Sequence, residues 1–343
     1  MNGSAKVFIQ EKFKTLFNNT FIKWHTPCLA LLAKSTCSGR YHFTATSFCH
    51  GFNLKRNVSM YHSIRTLFRS GNLAKSLTGL AVIISATFCM ASTSHALTVE
   101  EIEQRGYIKV ATEDDYRPFE FIENGKSTGY HNELKELVEK ETGLELRQTT
   151  LPWSGVLPGI TSGKFDIALS AVLVTEARKP NFDFTTPTAA STTIYGTRSD
   201  SPIKSAKDLV GKIVGAQTGS AFLAEFKVFN EKLKAEYGEG AKEIVEYASY
   251  PEAYQDLGIG RLDAVVNSDL AILSLVAERS DMFIAGEPVS EPRYIAWSVK
   301  KGNTAILEIM NGALTKIRES GDMYQLQQKW LRASHKNMPV DVN

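Results

Sequence analysis

From residue 107 onward the apolar positions of this chain switch between a two-residue and a 3.6-residue period, which predicts strands interleaved with amphipathic helices. Residues 107–112 (YIKVAT) predict a strand, followed by the acidic turn Glu113, Asp114, Asp115 and an aromatic stretch from Tyr116 to Glu120. Asn124-Gly125 marks a hairpin tip. Residues 131–142 predict a helix with Leu134, Leu137 and Val138 inward, closed by Gly143. A strand over 144–149, a helix from Pro152 to Ser162 and a strand entered at Phe165 come next.

The order continues after Thr188. A strand runs to Arg198, a short helix surrounds Asp208, and a strand over 212–216 leads to a helix opening at Ser220 with Phe222, Leu223, Phe226 and Phe229 on one face. Strands over 243–247 and 262–266 alternate with helices over 251–257 and 271–277. Pro288 and Pro292 then punctuate the chain before a strand over 294–299. Two helices end it, one with Ile306, Met310 and Leu314 inward and one anchored by Tyr324, Leu326 and Trp330. Alternation of this kind implies parallel α/β layers, and its restart near residue 195 argues for a second lobe.

The stretch 168–188 (ALSAVLVTEARKPNFDFTTPT) stands at the centre of this order. Residues 168–174 are apolar and β-branched enough for a core strand. Thr175 suits an N-cap, Glu176 a first helical turn, and Pro180 stops that turn quickly. A turn of this kind projects Arg178 beside free backbone N–H groups, a pairing that favours a carboxylate. Taken alone the arginine reads as a surface residue in a connector; the segments around it change that.

Charge divides the chain in two. Residues 1–96 hold 11 Lys/Arg against the single acid Glu11, whereas residues 97–343 hold 28 Lys/Arg against 36 Asp/Glu, a balance of −8. All four cysteines, Cys28, Cys37, Cys49 and Cys89, lie in the first part. Residues 77–90 are an apolar run of 14, preceded by Arg65, Arg69 and Lys75 and followed by small residues at Ser94 and Ala96. That order predicts a secretory signal over 60–96 with cleavage after Ala96, and the run is short for a membrane span. Because a signal beginning at Met60 is complete, residues 1–59 read as a mis-called extension; an organellar transit peptide is the rival reading.

The remaining 97–343 needs no disulfides, is long enough for a large core or two lobes, and its acidic balance gives no reason to expect nucleic acid. With only His131 and His335 and no cysteine there, most zinc and cysteine-nucleophile constellations are excluded, and no metal or cofactor is expected. No G-x-S-x-G elbow occurs. Gly159 to Lys164 is one residue short of a phosphate loop and reads as a helix end. Glu113, Asp114 and Asp115 suit a solvated turn or an amine-binding site more economically than acid–base catalysis.

Taken together, the segments resemble the family 3 extracellular solute-binding proteins, the polar amino-acid receptors of ABC uptake systems. The resemblance runs from Gly106 to Trp330 and is carried by Tyr116-x-Pro-Phe-Glu120, Gly129-Tyr-x-x-Glu-Leu134, Trp153-Ser-x-x-Leu-Pro-x-Ile160 and Gly163-Lys-Phe-Asp166. It continues through Thr175-Glu-x-Arg178, Phe182-Asp-Phe-Thr-x-Pro187, Val214-Gly-x-Gln-Thr-Gly219, Gly260-Arg-Leu-Asp-Ala264 and Gly321-x-x-Tyr to Trp330. Each motif is weak alone; their order and spacing are specific.

The resemblance implies a type II periplasmic binding protein fold, two α/β lobes with mixed sheets flanked by helices and a two-strand hinge. It assigns 97–193 and 293–343 to lobe 1 and 194–292 to lobe 2, with crossings near 191–196 and 290–294. By position, Tyr116 and Trp153 flank the ligand's apolar part, though ordinary core packing accounts for Tyr116 almost as well. Arg178 takes the carboxylate with help from amides at Ser170–Ala171 and Gly219–Ser220, and Glu113 lies near the amine or side chain. Two departures stand out. A hydroxyl residue that assists the arginine is replaced by Leu173, and the acid that holds the α-ammonium falls on Ser268, with Asp269 one place later.

The resemblance therefore implies a monomeric periplasmic receptor that binds a small amino acid or related carboxylated amine and delivers it to an ABC permease. Two alternatives share the scaffold, a cyclohexadienyl dehydratase-like enzyme using Glu113 or Asp269 as general acid, and a sensor domain serving a membrane partner.

Overall fold

The computed structural model describes residues 97–343; the expected extension, signal peptide and cleavage site at Ala96 lie outside the described residues. Among the described residues no helix is long and apolar enough to cross a membrane.

The first sheet is built from β1 (Tyr107–Glu113), β5 (Glu145–Leu151), β6 (Ile167–Ala168), β7 (Phe182–Phe184) and β15 (Ser298–Lys300), in the order β5-β1-β6-β15-β7. The first three run parallel, and β15 enters antiparallel between β6 and β7. Alternation along β1 sorts its two faces. Ile108 and Val110 face the cluster holding helices α1 (Val99–Arg105), α2 (Tyr130–Thr142), α7 (Thr304–Glu319) and α8 (Asp322–Leu331), while Ala111 meets α3 (Trp153–Thr161). Between β1 and α2 the chain makes a small antiparallel meander, β2 (Asp115–Tyr116), β3 (Glu120–Glu123) and β4 (Lys126–Thr128). Asn124 and Gly125, both at positive φ, form its tip as the sequence predicts.

A second sheet orders β11-β10-β12-β9-β13: β9 (Thr193–Arg198), β10 (Ile213–Gln217), β11 (Glu243–Tyr247), β12 (Ala264–Ser268) and β13 (Phe283–Pro288). Here β10, β11 and β12 are parallel and β9 runs antiparallel beside β12. Helix α4 (Ala221–Tyr237) covers one face through Leu223, Phe226 and Leu233, and α5 (Tyr250–Gly258) and α6 (Asp269–Glu278) cover the other. Between the sheets, β8 (Ala189–Ser191) and β14 (Arg293–Ile295) pair antiparallel, so the chain crosses on two adjacent strands. Both sheets are mixed and flanked by helices, which is the α/β two-lobe class expected.

Several local expectations are corrected. The central strand is only Ile167–Ala168, because Ser170 and Ala171 turn out of the ladder to bond Glu120. Residues 175–181 form consecutive turns, with the Arg178 and Lys179 N–H groups donating to the Thr175 carbonyl, so it is the Thr175 backbone that nucleates the turn. The strand expected over 294–299 is split into β14 and β15, which serve different sheets. In α8 the inward residues are Met323, Gln327 and Leu331, while Leu326 and Trp330 are only partly buried against the core. Gln327 is buried because its side chain donates to the Thr188 carbonyl and accepts from the His335 N–H. Strand β13 escaped the sequence pattern. Its bulge between Ala285 and Pro288 accommodates the proline at an edge, and Gly286 lies where a Cβ would come within 2.0 Å of the Tyr195 ring.

Candidate functional site

The parallel strands β1, β6, β10 and β12 end facing the cleft between the sheets, where open α/β sheets place ligands. Beyond those ends lies a cavity lined by Glu113, Tyr116, Trp153, Ala171, Leu173, Arg178, Gln217, Ser220, Ala221 and Phe222. Its volume is about 10 Å³, room for about one water, so a larger guest enters only if the lobes part.

Trp153 opens α3 directly after Pro152, whose extended backbone fits the N-cap position but whose side chain has no acceptor for the first N–H groups of the helix. The indole is buried, and its Nε1 sits 3.8 Å from where a Cβ on Gly219 would be, so it meets lobe 2 at a residue with φ of +73°. Arg178, half-buried, holds its guanidinium carbon 5.5 Å from the Trp153 ring centre and donates Nη1–H to the Leu173 carbonyl at 3.0 Å. Burial lowers its pKa to about 10 and the nearby Glu225 charge opposes that fall, so it remains charged at neutral pH. Among the described residues it has no carboxylate partner.

Backbone donors surround this cation. Leu173 bridges Ile295 through its neighbours, the Val174 N–H reaching the Tyr294 carbonyl and the Ala296 N–H reaching that of Val172, so the Leu173 N–H points away from the hinge strand. Helix α4 begins at the cavity. Ser220 caps it by accepting the Leu223 N–H at 3.1 Å, but its own N–H, expected to help hold the carboxylate, donates to the Gln217 carbonyl at 3.2 Å; among the described residues the Ala221 and Phe222 N–H groups have no acceptor. A helix N-terminus with open N–H groups favours an anion. The Ala171 amide does not share this role, since it donates to Glu120 at 3.3 Å.

Glu113 ends β1 and is buried. Its Oε1 accepts the Gln217 side-chain N–H at 2.5 Å across the cleft, while Oε2 has no partner among the described residues. Burial, assisted by the charges of Glu120, Asp114 and Asp115 and opposed by the Gln217 bond, raises its pKa to about 8. Tyr116 donates its hydroxyl to Asn267 Oδ1 at 2.8 Å and stacks on Tyr250 at 5.6 Å, so its face is given to lobe 2.

Ser268 and Asp269 are not among the residues lining the cavity. Ser268 is fully buried as the cap of α6, sharing a 2.9 Å bond with Ser191. Asp269 Oδ1 accepts from the Ser191 hydroxyl, the Thr192 N–H and the Leu270 N–H, which turns its carboxylate to the hinge. The one-residue shift that would have restored Asp269 to the cleft does not occur, because α6 begins at Asp269 and carries the side chain onto Ser191–Thr192. Ser170 lies one layer beneath the cavity, with no exposed surface.

That layer is a polar network the sequence did not reveal. Glu120 Oε1 accepts the Ser170 hydroxyl and the Ala171 N–H, Oε2 lies 2.9 Å from His131 Nδ1, and His131 Nε2 lies 3.2 Å from Thr188 Oγ1. Thr188 in turn donates to the Ile295 carbonyl of the hinge. Burial raises Glu120 to about 8 and lowers His131 to about 3, so both are neutral near pH 7. The neutral acid then donates from Oε2 to Nδ1, and the imidazole donates from Nε2 to Thr188. Sequence reasoning did not name Gln217, Asn267 and Glu120 as site residues, although Glu120 and Gln217 each stand within a motif of the resemblance; Asn267 carries no signal beyond its place near a strand end.

Comparison with known proteins agrees with this geometry. Residues 108–333 match the family model of the bacterial extracellular solute-binding proteins, family 3. The L-cystine-binding protein TcyJ of Escherichia coli is 29% identical over 258 residues, 74% of this chain and 93% of the relative. The probable amino-acid-binding protein YxeM of Bacillus subtilis is 32% identical over 225 residues, 64% and 81% respectively. Among solved structures, an ancestral arginine-binding protein bound to arginine superposes with a TM-score of 0.59 at 31% identity, covering 66% of this chain and 98% of that one. The ancestral amino acid-binding protein AncCDT-1, a precursor of cyclohexadienyl dehydratase, gives a TM-score of 0.60 at 27% identity over 68% of this chain and 99% of its own. The order of lobes, the crossing strands and the matched span lead to one assignment: this chain belongs to the bacterial extracellular solute-binding proteins, family 3.

Proposed function

We propose that this chain is a periplasmic receptor that captures an amino acid or related carboxylated amine between its lobes and hands it to the permease of an ABC importer. One observation carries the reading. Arg178 stands charged and without a carboxylate partner among the described residues, stacked near Trp153 and facing the open N-terminus of α4. That set stabilises a guest carboxylate by charge-assisted hydrogen bonds, which occur only when lobe 2 brings its amides to lobe 1. Binding therefore favours the closed arrangement, and closure presents both lobes to a membrane partner. The mechanism is capture and release, with no covalent step, and the mature protein acts as a monomer.

A thermal-shift screen of the protein, unfolded and refolded to remove retained ligand, tests the reading. At 100 times its dissociation constant a ligand adds about 2.7 kcal/mol of stability. A response to an amino-acid class that disappears in Arg178→Ala supports the receptor; a response confined to cations lacking a carboxylate sinks it.

A second reading rests on Glu113, which is held protonated in the cavity and so could serve as a general acid in a dehydratase. No histidine lies on the cavity wall, and Asp269 is turned to the hinge. Loss of water and carbon dioxide from arogenate or prephenate in the presence of the protein would favour that reading; binding without turnover rejects it.

A further inference from the structure

Resting on the receptor reading, the cleft also says where the ligand's positive charge goes. Lobe 2 offers it no carboxylate: the polar side chains it adds to the cavity are Ser220 and Gln217, both neutral, and the Gln217 amide is turned to Glu113. Asn267 Oδ1 is occupied by the Tyr116 hydroxyl and the Ser268 N–H, and its Nδ2–H donates to Tyr254. Ser268 is sealed against Ser191, and Asp269 accepts three hydrogen bonds at the hinge. Lobe 1 contributes Leu173 where a hydroxyl would assist. Glu113 is the one acid among the residues lining the cavity, and its Oε2 has no hydrogen-bond partner among the described residues. It stands at the end of β1 behind Tyr116, whereas the carboxylate donors, Arg178 and the Ala221 and Phe222 amides, belong to the turn after β6 and to the start of α4.

We infer that this receptor reads its ligand as a carboxylate at Arg178 and a cation at Glu113, and that it makes no use of an ammonium on the carbon next to the carboxylate. The substrate class is then the ω-amino and ω-guanidino carboxylates, α-amino acids with basic side chains being accepted through their distal cation. Trp153 and Phe222 line the same cavity and give the methylene chain between the two charges an apolar wall.

Isothermal titration of the refolded protein with L-arginine, 5-guanidinopentanoate, L-lysine and 6-aminohexanoate tests this directly, because each pair differs only by the α-ammonium. An ammonium bound by a charged acceptor is worth roughly 10- to 150-fold in affinity. The expected result is that each des-amino acid binds within about threefold of its parent, and that Asp269→Asn leaves the ratio within each pair unchanged. A loss of tenfold or more on removing the α-ammonium overturns the inference and leaves the receptor reading standing. Binding of L-glutamine or L-cystine with silence toward all four cationic compounds has the same meaning. Silence toward every carboxylate overturns both.

Discussion

Gln217, on the last residue of β10, donates its side-chain N–H to Glu113 at the end of β1, at 2.5 Å and across the cleft. The bond joins the two lobes at the floor of the cavity, and it joins them through an acid that burial holds protonated up to about pH 8. In the unfolded chain the same carboxyl releases its proton near its usual 4.5. Between those values the fold retains a proton that the unfolded chain has lost, so stability falls as pH rises from 4.5 to 8. Urea unfolding should show that slope, and Glu113→Gln should lessen it, the buried Glu120 carboxyl contributing the remainder; an unchanged slope in the variant contradicts the assignment.

Affinity for a ligand with a cationic end should run the opposite way. The cation needs Glu113 ionised, so binding expels its proton and strengthens by up to about tenfold per pH unit on approaching pH 8. Titrations in buffers of different ionisation heat count that proton directly. No proton release would place the cation elsewhere.

Tyr116→Phe deletes the 2.8 Å bond to Asn267 and leaves the ring stack on Tyr250 in place. A typical hydrogen bond contributes about 0.5–1.5 kcal/mol, so the closed form should lose that much relative to the open form. The radius of gyration from small-angle scattering should rise, and affinity should fall about two- to tenfold. A change in affinity with an unchanged radius would mean that Tyr116 touches the ligand without holding the lobes.

The protonation of the Glu120–His131 pair is testable by isosteres. If the acid donates to a neutral ring, Glu120→Gln preserves every bond: its amide N–H replaces the acid proton and its oxygen still accepts from Ser170 and Ala171. The cost should stay below about 1 kcal/mol, against roughly 3 kcal/mol or more for Glu120→Ala, which strands several buried groups. Equal losses in the two variants would indicate an ion pair.

Gly129 precedes α2 at φ +109°, and a Cβ there would lie 2.5 Å from the Phe119 carbonyl oxygen. Both the dihedral and the contact oppose any side chain. Gly129→Ala should therefore lower the thermal midpoint by several degrees through a strain of about 1–3 kcal/mol. An unchanged midpoint would mean that the chain before α2 relaxes freely.

How far the sequence disclosed this molecule depended on how local the relevant physics was. Helix ends at Gly143 and Ser220, the Asn124-Gly125 turn and the strand over 243–247 rest on neighbours within a few residues, and the chain states them openly. Strand β13 was hidden because Pro288, read as punctuation, is tolerated by a bulge that pairing with β9 creates. The cluster of Glu113, Tyr116, Trp153 and Arg178 around one cavity follows from motif order, since each sits beside a strand end that the fold aims at the cleft. Gln217 stands in such a motif too, yet its role and that of Asn267 stayed hidden, because their partners are 104 and 151 residues away. Asp269 misled for the same reason. Its spacing from β12 suited the cleft, and only the start of α6 decides that it faces Ser191 instead.

The most direct test of the receptor account is a titration cycle at Arg178. L-arginine and L-argininamide, and L-lysine and L-lysinamide, are each titrated into the wild-type protein and into Arg178→Ala. Masking the carboxylate should cost the wild type roughly 10- to 150-fold and should cost Arg178→Ala little, because the partner of that carboxylate is already gone. Full discrimination between acid and amide in Arg178→Ala, or wild-type affinity without the arginine, would contradict the account.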